Sequence, residues 1–211
     1  MDNIRIVIVE DDLIFQKAII SFINKQPDMI IVGAVSTKND AIYLAKSLEI
    51  DLILMDINLN GNECDGVIAA MEILQFSEAK IIMLTGIEDT ATIMDSFTAG
   101  AVHYILKENY LEIPNIIRFL HKNETPFKVL INEFSRLKKE EQLQDLSSPE
   151  KEIYTLVEQG YTQVEIGKKL YKSQNTVKTQ IKSILKKLDV RNTKEAVKKI
   201  ESKGLSEKRK G

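Results

Sequence analysis

The stretch "DLILMDINLNGNECDG", residues 51–66, decides how the first half of the chain folds. Leu52, Ile53, Leu54 and Met55, with Ile57 just beyond, make a short continuous apolar run. Such a run is the signature of a strand buried on both faces. At its end stands a carboxylate, Asp56. A buried, unpaired carboxylate is costly and its pKa rises, so a charge at the exit of a buried strand implies a partner. The sequence then breaks into Asn, Gly and Asp, the vocabulary of loops.

Similar runs flank this one at residues 4–9, 30–35, 80–84 and 102–106. Helical patterns lie between and after them. Ile113, Ile116, Ile117 and Leu120 recur at i, i+3, i+4 and i+7, and Ile93, Met94 and Phe97 form a shorter version. Alternating strands and helices predict a parallel sheet covered on both faces, whose ligands sit at the carboxyl ends of the strands. The first strand exits into Glu10, Asp11 and Asp12, the third at Asp56, the fourth at Thr85 and Gly86, and the fifth at Lys107. Asp12 reads as the N-cap of a helix starting at Leu13. The other exits could be ordinary strand-end polar residues, but side by side they gather carboxylates, a hydroxyl and an ammonium on one edge. Clustered carboxylates repel unless a cation neutralises them, and an oxygen-only donor set suits Mg²⁺. A hydroxyl and a lysine beside a metal-bound carboxylate suit phosphate oxygens during in-line transfer.

The chain has 211 residues, enough for one or two domains. Its single cysteine, Cys64, cannot form an internal disulfide, and one Cys with two His cannot build a zinc cluster. The N-terminal "MDNIRIVIVEDD" has neither the pattern of a signal peptide nor the length of a membrane span, so a cytoplasmic protein is expected. The net charge of −2 hides a split. Residues 1–121 hold 8 Lys and Arg against 18 Asp and Glu, whereas residues 147–211 hold 16 against 8. A basic module of that size is a candidate for polyanion binding.

The basic module has clear helix punctuation. Ser148 precedes Pro149, Thr162 and Glu165 fit a capping box, as do Asn192 and Glu195, Gly160 ends a helix, and Ser173 can cap another. Helices are therefore expected near 149–159, 163–170, 174–188 and 193–203. The second and third are joined only by "YKS", which makes a helix-turn-helix. On the third, Val177, Ile181, Ile184 and Leu188 form an apolar seam, while Lys178, Lys182 and Lys186 line another face with Thr179 and Gln174 nearby. A lysine run alone is as readily a solvated face. Inside a basic helix-turn-helix it suits the major groove, contacting phosphates and guanine edges. Between the modules, "KNETPFKVLINEFSRLKKEEQLQDL" (122–146) is charge-balanced. Pro126 can open a helix with Phe127, Leu130, Phe134 and Leu137 at heptad spacing and Ile131 alongside. That helix is either a linker packed on its own domain or a dimer contact. Beyond Leu137 the pattern fades, and "KKEEQLQ" is expected to be flexible.

In order and spacing, "VIVEDD", "LILMDI", "IIMLTG" and "HYILK" resemble the motifs of bacterial response-regulator receiver domains, and residues 147–204 resemble the LuxR-type DNA-binding domain. Together they resemble the NarL/FixJ family. The resemblance implies a flavodoxin-like five-stranded receiver over 1–121, a partly helical linker over 122–146, a four-helix DNA-binding domain over 147–204, and a flexible tail over 205–211. It further implies that a cognate histidine kinase phosphorylates Asp56. Glu10, Asp11, Asp56 and the backbone carbonyl of Asn58 would hold Mg²⁺, Thr85 and Lys107 would bind the phosphoryl group, and Tyr104 would be the switch aromatic. The residue reading alone also allows Tyr104 to be a half-buried strand aromatic.

On DNA, Lys178, Thr179 and Lys182, with Lys186 and Asn175, would make the contacts. The final helix would join two copies on an inverted repeat. There are departures. Leu59-Asn60 stands where the family commonly has Met-Pro, Gly66 comes about two residues late, Glu108 follows Lys107 where a proline is frequent, and His103 replaces a common Gly. Gln180 stands for a frequent His and Asp189 for a frequent Gly. Two other functions compete. One is DNA binding independent of phosphorylation. The other is an aspartyl-phosphate hydrolase, which needs a second acid/base carboxylate where Asn58 stands. No catalytic residue is expected.

Overall fold

The computed structural model describes residues 3–62, 64–86, 90–122 and 126–201. The chain divides into two units, Met1–Ser135 and Arg136–Gly211.

The first unit is the expected α/β sandwich. Its strands are β1 (Ile4–Val9), β2 (Met29–Val35), β3 (Leu52–Asp56), β4 (Lys80–Thr85) and β5 (His103–Leu106). They form one parallel sheet in the order β2-β1-β3-β4-β5. Helices α1 (Leu13–Ile23), α2 (Lys38–Ser47), α3 (Asp65–Ile73), α4 (Thr90–Ala99) and α5 (Ile113–Lys122) follow the strands, with a 3-10 helix over Lys107–Glu112 before α5. Continuous burial of β3 explains its unbroken apolar run. Asp12 caps α1, accepting from the Ile14 and Phe15 amides. Strand order reverses between β1 and β3, the switch point at which open sheets bind ligands.

On α5 the expected stripe packs inward: Ile113, Ile117 and Leu120 are buried and Ile116 lies partly against the core. The helix expected from Ile93, Met94 and Phe97 forms as α4, with Ile93 and Phe97 half-buried. Its buried residues are Thr92, Ser96, Thr98 and Ala99, and Met94 is exposed. Ser96 and Thr98 give their hydroxyls to the carbonyls four residues back, so small polar side chains can face inward without stranding a donor.

Helix α6 (Pro126–Gln142) runs past Leu137 through the charged residues expected to be flexible. Opposite charges at helical spacing, Arg136 with Glu140 and Lys138 with Glu141, support it there, and Lys139 also pairs with Glu158. Of the heptad residues, Leu130 and Leu137 are exposed and Phe134 is half-buried. The side chains of Phe127 and Ile131 lie outside the described residues.

The second unit continues with α7 (Ser148–Glu158), α8 (Gln163–Lys169), α9 (Gln174–Lys187) and α10 (Thr193–Glu201). Its core joins Leu146, Ile153, Tyr154, Ile166, Ala196 and Ile200 to the α9 seam of Val177, Ile181, Ile184 and Leu188. The cap of α7 is Ser147, one residue earlier than expected, because Glu150 reaches back to the Ser147 amide and hydroxyl. Glu150 also accepts from Ser183 at 2.7 Å and Lys187 at 2.7 Å, which ties α7 to α9. In the helix-turn-helix, Gly167 lies where a Cβ would come within 2.9 Å of the Lys172 carbonyl, so the tight turn needs a residue without one.

Candidate functional site

Parallel pairing of Val9 with Met55 brings the exits of β1 and β3 side by side. One residue further on, Glu10 and Asp56 are both buried. With Asp11 they place one carboxylate oxygen each within 4.8 Å of the others. The Lys107 ammonium lies 2.8 Å from Glu10 Oε1 and 3.0 Å from Asp56 Oδ2. It also sits over the Phe15 ring, 5.1 Å from its centroid. Glu10 Oε2 is buried without a well-directed hydrogen bond, although Lys107 Nζ is 2.8 Å away. Hard oxygen donors at this spacing, one of them an under-used buried acceptor, fit a small divalent cation.

The electrostatics follow from burial. Desolvation pushes the Glu10 carboxyl up to about 7; the Lys107 hydrogen bond opposes that rise and the Asp56 charge adds to it. Asp56 is also raised, by burial first, against the pull of Lys107 and of the Asn58 amide. Burial alone would lower the Lys107 ammonium, but the two acids outweigh it and its pKa is raised. The lysine therefore acts as an internal counter-ion to an acid pair that could not share this space unneutralised.

Neighbouring elements hold the acids in place. Gly66, at the start of α3, lies where a Cβ would stand 1.8 Å from the Asp56 carbonyl oxygen, and its amide donates to Ile57 at 3.0 Å. Only glycine lets α3 begin so close to the end of β3. Gln16, buried on α1, donates to the carbonyls of Glu10 (2.9 Å) and Val35 (3.2 Å). Gln16 is not marked by the strand-exit pattern; its signal in the sequence is an amide on the same helix stripe as Ile19 and Ile23. Asn60 stands out in the sequence as a departure from the family's Met-Pro. Its signal was the Asn-Gly pair, which favours a tight turn with positive φ at both central residues. Residues 59–62 form such a turn: Asn60 has φ 53° and Gly61 φ 73°, and the Asn62 amide donates to the Leu59 carbonyl.

Thr85 is buried at the end of β4, and Tyr104 is half-buried on β5. The Asn58 amide points toward Asp56 Oδ1 at 3.4 Å. In the second unit, Asn175, Lys178, Thr179, Lys182 and Lys186 are all exposed on α9. A shallow groove there is lined by Asn175, Thr176, Thr179 and Gln180, and Lys172 donates to Gln180 at 3.2 Å.

Comparison with known proteins agrees with this two-part construction. The family described as "Response regulator receiver domain" matches residues 6–118. The family described as "Bacterial regulatory proteins, luxR family" matches residues 144–200. Transcriptional regulatory protein LiaR of Bacillus subtilis is 35% identical over 201 residues, covering 92% of this chain and 94% of its own. Response regulator protein VraR of Staphylococcus epidermidis is 33% identical over 199 residues, with 92% and 94% covered. Among solved structures, the RcsB response regulator of Salmonella typhimurium matches with a TM-score of 0.53 at 24% identity, over 94% of this chain and 98% of that one, a likeness of fold. The chain belongs to the NarL/FixJ family of response regulators, two-component proteins that join a receiver to a LuxR-type DNA-binding domain. The family controls transcription in response to phosphorylation. Among the described residues no helix is long and apolar enough to cross a membrane.

Proposed function

We propose that Asp56 is the phosphoacceptor of this regulator and that its phosphorylation sets how α9 reads DNA. An Asp56 carboxylate oxygen attacks the phosphorus of a phosphohistidine on a cognate kinase. The new P–O bond forms as the P–N bond breaks, and the imidazole leaves. Glu10, Asp11, Asp56 and the Asn58 carbonyl would hold Mg²⁺, which supplies charge neutralisation to the transferring group when bound. Lys107, already between Glu10 and Asp56, turns to the phosphoryl oxygens, and the Thr85 hydroxyl donates to another. Inward movement of Thr85 lets the Tyr104 ring follow, which repacks the α4-β5-α5 face.

In the second unit, α9 enters the major groove. Lys178, Thr179 and Lys182 meet base edges and backbone, and Lys186 and Asn175 extend the contact. Two copies joined through α10 bind half-sites of an inverted repeat about 34 Å apart. On this reading the receiver is 1–121, the linker 122–146, the DNA-binding domain 147–204 and the tail 205–211. The protein works in the cytoplasm as a regulator and not as an enzyme.

The observation that carries the proposal is Lys107 bonded to two of three converging carboxylates where β1 and β3 exit. The test is labelling of the full chain with acetyl [³²P]phosphate and Mg²⁺. The wild type is expected to take up one acid-stable, hydroxylamine-labile label, and Asp56→Asn none. Equal labelling of the two would reject the assignment.

A further inference from the structure

We infer that Asn60 is a positioning residue for the cation site, acting through Asp11; this rests on the proposed metal-binding role of that acid. Of the three converging carboxylates, Glu10 and Asp56 are buried and share Lys107. Asp11 is only partly buried, and its described hydrogen bond comes from the Asn60 amide, 2.8 Å from Oδ2. A half-exposed carboxylate on a loop is free to rotate into water, and a bond to one oxygen fixes the direction of the other.

The donor is built for that bond. Its N–H leads into a tight turn in which Asn60 has positive φ, a backbone state that suits Asn and Gly far better than other residues. Two anchors hold the turn in place. Leu59, immediately before it, is fully buried. The Asn60 side-chain amide donates to the Ser36 carbonyl beyond β2 at 3.1 Å. One residue thus spans the exits of β1 and β2 from the end of β3, and fastens the least-constrained acid of the three. Outer-shell partners of this kind commonly govern metal affinity by tenfold or more.

The test is a Mn²⁺ titration of the full chain, with free Mn²⁺ followed by electron paramagnetic resonance. Asn60→Gly keeps both the N–H and the positive φ, and is expected to bind within about twofold of wild type. Asn60→Pro removes the donor and forces negative φ, and is expected to bind about tenfold more weakly. Equal affinity in Asn60→Pro and wild type would overturn the inference. So would an equal loss in Asn60→Gly, which would place the effect in the Ser36 contact. Should the proline variant fail to fold, amide exchange decides: the Asn60 N–H is expected to be protected in wild type and unprotected in Asp11→Ala, and an unprotected amide in wild type overturns the inference. The underlying reading fails separately. If wild type and Asp11→Asn bind Mn²⁺ alike, Asp11 is no ligand and both ideas fall; if only Asp11→Asn loses affinity while Asn60→Pro does not, the metal role stands and the positioning role falls.

Discussion

The two units handle charge in opposite ways. In the first, Glu10 and Asp56 are drawn to 0% and 4% exposure, with Lys107 bonded to both. In the second, Lys178, Lys182 and Lys186 stand in solvent on one helix, over a core made of other residues. Buried charges gain leverage from desolvation: they shift one another's pKa and are confined to a single small site. Exposed lysines give up that leverage for reach, and attract a polyanion over many phosphates. A localised chemical event and an extended binding surface thus call for opposite placements of the same kinds of side chain. The second unit also keeps a buried charge, Glu150, and there it is structural, closing a cap and fastening α9 to α7.

The comparison is most exposed to disproof at the lysine face. Lys178→Ala with Lys182→Ala is expected to cost about 4 kcal/mol of DNA affinity and to lessen the salt slope by about 2. Fluorescence anisotropy at several salt concentrations measures both, and phosphorylation of Asp56 is expected to be unchanged. Next in size is Gly66→Ala. A methyl group 1.8 Å from the Asp56 carbonyl oxygen forces α3 away from β3, costing about 3 kcal/mol. Hydrogen exchange resolved by segment should rise across β3 and α3 and stay unchanged in α7 to α10.

Glu150→Ala is the mirror experiment. Losing a charged acceptor with several donors is expected to cost about 2 kcal/mol, with faster exchange in α7 and α9 only. The same residue sets an acid limit. Lys187 first, then Ser183 and Ser147, hold its carboxyl down at about 2 from an ordinary 4.5. Its contribution is complete above that ordinary value and is lost as pH falls toward about 2. Wild type should therefore lose stability in the second unit across that window, and Glu150→Ala should show a flatter profile. The smallest effect belongs to Arg118, whose pair with Asp28 at 2.7 Å is partly exposed. Arg118→Ala is expected to cost about 0.5 kcal/mol. A larger loss would mean that the surface charges of the first unit matter as much as its buried ones.

Much of this was legible in the chain. Continuous apolar runs located the strands, and helical spacing at 93–97 and 113–120 with caps in the basic module located helices, because burial on both faces, helical period and capping are all written locally in the chain. Ser173 and the Thr162–Glu165 pair marked helix starts correctly, since a cap is a local interaction among residues close in sequence. Where expectations missed, a neighbour decided. The charged end of α6, expected to be flexible, is helical through its own ion pairs.

Taken alone, the sequence determined which elements form, in what order, and which acids, hydroxyl and lysine stand at strand ends. Only the tertiary structure decided that Glu10 and Asp56, 46 positions apart, become neighbours, that Glu10 is wholly buried, and that a turn amide meets Asp11. The physical reason is that local pattern encodes conformation, whereas distance and desolvation belong to pairs of residues brought together by strand register. A backbone N–H, present at nearly every residue, carries no signature until the fold aims it.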